Sequence, residues 1–284
     1  MNFNRFRKTR IAPTPSGYCH LGNAYSFLLT QSLAKKSGAS ILLRIDDLDR
    51  ERFREEYLND IFDTLEFLEI SWDEGPAGPD EFHSTWSQVH RMDAYMLALD
   101  RLRASGNVFG CTCTRSELAG LKRYPGTCMS RSIDLDARET AWRITGGADA
   151  HVMITPEGHR IQDLPEEMAH LVVRKKDGNP SYHLASVVDD LQFSVDLVVR
   201  GEDLLTSTIG QLSLASQLEE SSFREIVFFH HTILKGLNGA KLSKTAGSDS
   251  VRSCRNRGMR RDDLIEQIGA VIGDGSWFRD EIRG

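Results

Sequence analysis

Two short stretches, far apart in the chain, carry residue types that suit a polyphosphate. The first is Arg10-Ile-Ala-Pro-Thr-Pro-Ser-Gly-Tyr-Cys-His-Leu-Gly-Asn23, a Pro/Gly turn feeding His20-x-Gly22 where a helical period begins. A backbone without Cβ can approach a phosphate closely, and a helix N-terminus attracts negative charge. The second is Lys241-Leu-Ser-Lys-Thr245, Gly-flanked, which offers two ammonium groups to a departing diphosphate. Either motif alone reads as an ordinary polar loop; the pair, in this order, points to nucleotide chemistry. A third cluster suits a metal: Cys111-Thr-Cys113 followed by Tyr124-Pro-Gly-Thr-Cys128. Zinc favours four tetrahedral ligands, thiolates above all in closed structural sites. Three cysteines leave a fourth place that water, Tyr124 or a carboxylate could take, and phenolate is unusual there because its reference pKa is about 10.

These groups need elements to hold them. Thr9 to Ala12 reads as the end of a strand broken by Pro13 and Pro15, and the period of Leu21, Ala24, Tyr25, Leu28, Leu29 and Leu33 predicts a helix to Lys36, stopped by Gly38. Ile41 to Ile45 is a second buried strand, and Arg52 to Leu68 a second helix with Leu58, Ile61, Phe62, Leu65 and Leu68 on one face. Strand, helix, strand, helix opens a doubly wound sheet, whose ligands bind beyond the carboxyl ends of the strands. That puts Thr14 to His20 and Asp46 on one rim. Ser87 to Ser105 predicts one long helix. An irregular stretch to about Pro165 reads as an insertion, after which the sheet resumes at Leu171 to Arg174, Val195 to Arg200 and Ile226 to Phe229, with Asp203 to Leu218 and Leu264 to Ile272 as helices. The predicted fold class is therefore α/β, a doubly wound, mostly parallel, Rossmann-type sheet with a zinc-containing insertion and a short C-terminal helical appendage. The expected boundaries are 1–106 and 169–245 for the two halves of the catalytic domain, 107–168 for the insertion and 246–284 for the appendage.

Composition narrows the classes. Apolar residues make up 40% of the 284 positions and charged residues 27%, a soluble, globular balance. No apolar run approaches the roughly 20 residues of a membrane span, and no h-region follows Met1, so the expectation is a cytoplasmic protein with no membrane partner. The net charge of −6 is not a nucleic-acid footprint in itself. The run Arg252, Arg255, Arg257, Arg260 and Arg261 reads equally as a local phosphate patch and as a solvated helix face. Five cysteines argue against a disulfide framework, and Cys19 and Cys254 read as small fillers.

Taken together, the motifs at His20 to Asn23 and Lys241 to Thr245, with Arg44-Ile-Asp-Asp, Pro180-Ser-Tyr-His-Leu-Ala185 and Val199-Arg-Gly-Glu-Asp203, resemble the class I aminoacyl-tRNA synthetases, within them the glutamyl/glutaminyl group. The resemblance implies ATP, with Mg2+, as substrate, bound by His20, Gly22, Lys241 and Lys244; of these His20, Lys241 and Lys244 would be catalytic. It implies a glutamate pocket of Arg10, Thr14, Asp46, Tyr182 and Arg200. Two guanidinium groups suit a γ-carboxylate, and the glutaminyl members lack an arginine matching Arg200. Asp46 departs from the glutamyl pattern, which carries Glu there; it keeps the carboxylate one methylene shorter. The Cys-x-Cys…Tyr-x-x-x-Cys arrangement is similar to that of the glutamyl-queuosine group, whose tyrosine ligand matches Tyr124; it implies one structural Zn2+ on Cys111, Cys113, Tyr124 and Cys128. Only a short stretch follows Thr245, as in that group, which implies glutamate transfer to the queuosine base at the wobble position of tRNA(Asp) by a monomer. The alternatives are a stand-alone catalytic fragment that charges a tRNA 3′ end or another acceptor, and a non-catalytic tRNA-binding paralogue.

Overall fold

A computed structural model describes residues 6–146, 150–234 and 250–272. In chain order its first half contains β1 (Lys8–Ile11), α1 (Leu21–Ser37), β2 (Ser40–Leu43), α2 (Glu55–Phe67), a single turn α3 (Pro79–Glu81), α4 (Met92–Ala104), β3 (Val108–Cys111) and β4 (Ala141–Ile144). The second half continues with β5 (Ala150–Thr155), β6 (Gly158–Asp163), β7 (Val172–Arg174), α5 (Tyr182–Gln192), β8 (Leu197–Gly201), α6 (Leu205–Gln217), β9 (Val227–His231), α7 (Val251–Asn256) and α8 (Arg261–Ile272). The chain divides into two compact units: 1–90, 196–203 and 229–284 form one, and 91–195 with 204–228 the other.

In the first unit the strand order is β2-β1-β8-β9. β1 pairs parallel with β2 on one side, Arg10 opposite Leu42, and with β8 on the other, Thr9 opposite Leu197. Parallel neighbours on both sides are the mark of the doubly wound α/β class, and the strand order reverses at β1. α1 is buried nearly all round, Leu21, Ala24, Tyr25, Leu28, Leu29 and Leu33 included, as expected of a helix covered on more than one face. It ends where predicted: Gly38 takes φ 68°, and its amide closes on the carbonyls of Ala34 and Lys35. Gly75 has no alternative either, since at φ 122° a Cβ would lie 2.4 Å from the Leu43 carbonyl oxygen.

The predicted helix from Ser87 to Ser105 is shorter than its periodicity suggests. Phe82–Trp86 forms a π-turn and Gln88–Arg91 a 3-10 turn, and α-helix begins only at Met92. The reason is a buried carboxylate: Asp47 accepts from the Ser87 hydroxyl at 2.6 Å and from the Gln88 amide at 2.8 Å, which fixes that corner outside helical geometry.

The second unit corrects two expectations. Val172–Arg174 joins not the doubly wound sheet but an antiparallel one, order β3-β4-β7, with β4 in the middle. The stretch read as irregular contains a hairpin, β5 antiparallel to β6, and β5 also runs parallel to the start of β9 at Ile154 and Val227. β6 is exposed along nearly its whole length, so it lacks the apolar alternation by which strands are recognised. α4 and α5 are joined by a buried network: Arg91 forks onto Asp189 at 2.8 and 3.1 Å, and the Tyr95 hydroxyl donates to the same carboxylate at 2.7 Å. Among the described residues no helix is long and apolar enough to cross a membrane.

Removing one partner from a buried, hydrogen-bonded ion pair strands the other. Asp189→Ala is expected to lower stability by about 3–5 kcal/mol, measured by urea unfolding. The double replacement Arg91→Met with Asp189→Leu is expected to recover most of that loss.

Candidate active site

The first unit positions its functional side chains at the carboxyl ends of β1, β2 and β8. Side chains alternate with a period of two, and parallel partners point the same way. Arg10 lies opposite Leu42, so Arg44, one step past β2 on the same ladder, shares its face. Thr9 lies opposite Leu197, so Arg200 projects to that face as well. All three are buried: Arg10 is 5%, Arg44 3% and Arg200 4% exposed. Arg10 Nη1 donates to the Val199 carbonyl at 3.3 Å, which ties it to the strand that bears Arg200. Asp46 is buried too, and Arg44 grips it with a fork, Nε to Oδ1 at 2.7 Å and Nη2 to Oδ2 at 3.0 Å. The carboxylate is thus oriented by a neighbour two residues away before any ligand arrives. Its amide bonds the Pro13 carbonyl at 2.9 Å, which keeps the turn after β1 beside the end of β2. Thr14 is exposed on that turn.

His20 is the N-cap of α1. The Asn23 amide is shared between the His20 carbonyl oxygen at 2.9 Å and Nδ1 at 3.3 Å, and the Asn23 side-chain oxygen accepts from the His20 amide at 3.0 Å. An accepting Nδ1 places the ring proton on Nε2, so the imidazole is a donor at its outer nitrogen. Gly22 makes room for that ring: a Cβ there would stand 3.0 Å from two of its atoms. The first turn of α1 has no acidic residue, which leaves its N-terminal field open to an anion. Lys241 and Lys244 lie outside the described residues.

Asp60 and His231 were not singled out from the sequence, and Arg252 and Arg255 were named there only as part of a basic run. Asp60, on α2, accepts the Cys19 amide at 2.8 Å. Arg255 pairs with Asp63 at 3.0 Å, and the Arg252 guanidinium stacks 4.8 Å over the Tyr18 ring. His231, at the end of β9, meets Tyr25 edge-on with centroids 4.6 Å apart and bonds the Thr232 carbonyl through Nδ1 at 3.1 Å. A readable signal existed for Asp60: with Thr64 it is a polar pair on the otherwise apolar buried face of an amphipathic helix. The basic run of α7 and α8 is used within the protein, Arg260 on Asp263 and Arg261 on the Leu68 carbonyl included.

In the second unit, Tyr182 is the first residue of α5 and 43% exposed, following the cap Ser181. The cysteine cluster closes as its spacing suggests. The sulfurs of Cys111, Cys113 and Cys128 lie within 4.8 Å of one another, with Cys113 to Cys128 at 3.5 Å. The Tyr124 hydroxyl sits 3.5 Å from Cys111 Sγ and 3.8 Å from Cys113 Sγ, and accepts the Cys128 amide at 3.0 Å. A tetrahedron with Zn–S near 2.3 Å and Zn–O near 2.0 Å has edges of about 3.5 to about 3.8 Å, so the donor set fits such an ion. Burial opposes ionisation of Cys128, but hydrogen bonds from Tyr124, the Thr112 amide, Cys113 and Cys111 outweigh it and bring this thiol down to about 6. Cys113 is pushed up to about 11 by burial and by Cys128, and Tyr124 is raised by burial and by Cys111 and Cys128. The Arg143 guanidinium covers the Tyr124 ring at 4.2 Å.

Fold and site lead to one class. Residues 7–141 and 147–271 match the family described as tRNA synthetases class I (E and Q), catalytic domain, and the chain belongs to that family. It is 39% identical over 245 residues to the Glutamyl-Q tRNA(Asp) synthetase of Methylococcus capsulatus, covering 85% of this chain and 77% of that protein. It is 31% identical over 287 residues to Glutamate--tRNA ligase 2 of Syntrophus aciditrophicus, covering 94% of this chain but only 58% of that ligase. A crystal structure of a glutamate tRNA ligase from Elizabethkingia meningosepticum in complex with its amino acid matches with TM-score 0.72 at 22% identity, over 98% of this chain and 64% of that one, a likeness of fold.

Burial lowers the pKa of His231 below its ordinary 6.5. A depressed folded value means its contribution to stability is complete above about 6.5 and is lost as pH falls through the folded value. Urea midpoints compared between about pH 7.5 and about pH 5.5 should fall less in His231→Leu than in the parent.

Proposed function

We propose that the chain activates glutamate with ATP and transfers it to the queuosine base at the wobble position of tRNA(Asp). The observation that carries the first half is the set of buried guanidinium groups on one face at the carboxyl ends of β1 and β8, where the strand order reverses. Such a pair suits the γ-carboxylate of glutamate, which it holds by charge-assisted forks. Arg10 and Arg200 take the side chain, Asp46 the α-ammonium, and Thr14 closes the pocket. The α-carboxylate then attacks the α-phosphate of ATP, with Mg2+ as the nucleotide's counterion. His20, through its Nε2–H, and the amides at the start of α1 stabilise phosphate oxygens, Gly22 leaves the nucleotide room, and Lys241 and Lys244 neutralise the leaving pyrophosphate. The acceptor half is supported by the relatives named Glutamyl-Q tRNA(Asp) synthetase. A second reading, glutamate transfer to a tRNA 3′ end, is favoured by the relatives named glutamate–tRNA ligase.

Pyrophosphate exchange dependent on glutamate and independent of tRNA tests the activation step. Queuosine-containing tRNA(Asp) whose 3′ diol has been destroyed by periodate tests the acceptor: it should still take labelled glutamate. Labelling abolished by that treatment would transfer the reading to the 3′ end, and no exchange at all would remove both.

Cys111, Cys113, Cys128 and Tyr124 would hold one Zn2+ as a closed structural site, contributing folding energy to the second unit rather than chemistry. Elemental analysis of the purified protein is expected to find about one zinc per chain. Cys128→Ala should lose it, whereas Tyr124→Phe, with its three thiolates, should keep it but surrender it more readily to a chelator. Well under one zinc with all four residues intact would rule the site out.

A further inference from the structure

Resting on the reading of His20 as an ATP ligand, we infer that Asp60 and the start of α7 form a clamp that sets the position of His20, with Asp60 a positioning residue for the adenylation step. The peptide groups of Cys19, the residue immediately before the histidine, are held from two sides. Its amide donates to Asp60 Oδ2 at 2.8 Å, from α2. Its carbonyl accepts the Val251 amide at 2.8 Å, from the first residue of α7. His20 and Ser250, the cap of that helix, form an isolated antiparallel bridge. Val251 follows the Lys241 to Thr245 motif by six residues in sequence.

A carboxylate is an expensive way to hold an amide. Asp60 is 2% exposed, its Oδ1 makes no hydrogen bond, and burial raises its pKa against the lowering influence of the Cys19 amide, Arg255 and Arg252. A leucine on that helix face would pack without this penalty. What the carboxylate supplies and leucine cannot is a strong, directional acceptor for the peptide that carries the N-cap. Arg255, bound to Asp63 one turn further along α2, places positive charge beside it and ties α7 to the same helix. An error of about 1 Å in a group that contacts the reacting phosphates can cost on the order of 100-fold in rate, so the clamp acts on turnover more than on the fold.

Three variants test it by glutamate-dependent pyrophosphate exchange, thermal unfolding and the imidazole nitrogen NMR signals of His20. Asp60→Asn keeps an acceptor oxygen and should hold kcat within about threefold. Asp60→Leu strands the Cys19 amide, so it should melt somewhat below the parent while still unfolding cooperatively, and it should lose about tenfold or more in kcat with KM for glutamate little changed. Val251→Pro removes the other donor without disturbing the helix, since proline is accommodated at the first helical position and Ser250 already has the extended ψ of 148° that a following proline requires; it should lose kcat likewise. In the parent and in Asp60→Asn the His20 ring should show one Nε2–H tautomer, and in the other two variants an average of both. Full turnover in Asp60→Leu and Val251→Pro would overturn the clamp while leaving the ATP reading intact. A parent protein without exchange would remove the ATP reading alone, because the tautomer comparison then still decides the clamp: unchanged His20 signals in both variants overturn it.

Discussion

Three arginines buried on one face of a parallel sheet are the constraint to which the rest of the first unit answers. A guanidinium cannot be deprotonated to escape burial, so its N–H groups call for oxygen acceptors. Arg44 is met by Asp46, and Arg10 reaches the Val199 carbonyl. The turns around them are shaped to make this possible. Pro13 offers its carbonyl to Asp46, and Asp47, next in line, turns the other way to hold Ser87 and Gln88. One dipeptide of acids therefore serves two purposes, Asp46 gripped by Arg44 and Asp47 holding the corner at Ser87 and Gln88. Had the corner at Ser87 continued as helix, the Gln88 amide would have been spent inside it.

The same economy governs the second unit. Tyr124 cannot reach the three sulfurs unless its ring is fixed, and Arg143 above it with Phe109 and His170 at its edges leave it one orientation. The phenol oxygen takes the Cys128 amide, so the loop that supplies the last sulfur is fastened to the group that would complete the tetrahedron. The cluster thus holds itself together through hydrogen bonds that an ion would replace by stronger bonds to the same atoms.

Much of this was legible in the order of residues. The helix from Leu21 and its stop at Gly38 follow from a plain 3.6-residue period and a residue tolerant of positive φ. Arg200 closes an apolar run, Leu197-Val-Val, whereas β1, Lys8-Thr-Arg-Ile11, has no such pattern, and Arg10 was named through the family resemblance. The cysteine cluster follows from spacing. What escaped shares one cause, which is that pattern identifies an element but not its neighbour. Val172 to Arg174 is a short apolar run equally at home in either sheet, and only pairing with β4 settles which. β6 has no apolar alternation because its faces are exposed. The helix at Ser87 was overrun because Asp47, forty residues earlier, is invisible to a local window.

Buried polar groups carry the information that apolar periodicity lacks. Leucine at position 60 or 189 would satisfy the helical pattern better than the aspartate that is there, and the cost of desolvating a carboxylate is larger than any local propensity. Such a residue persists only if its partner matters. For Asp189 the partner is Arg91 with Tyr95, and the result is the docking of two helices, a structural end in itself. For Asp60 the partner is a single backbone amide, which a neutral oxygen would accept at a lower desolvation cost. An acid where a neutral acceptor would suffice implies that direction and strength matter more at that amide than elsewhere. The amide in question belongs to the residue immediately before His20, the N-cap of α1.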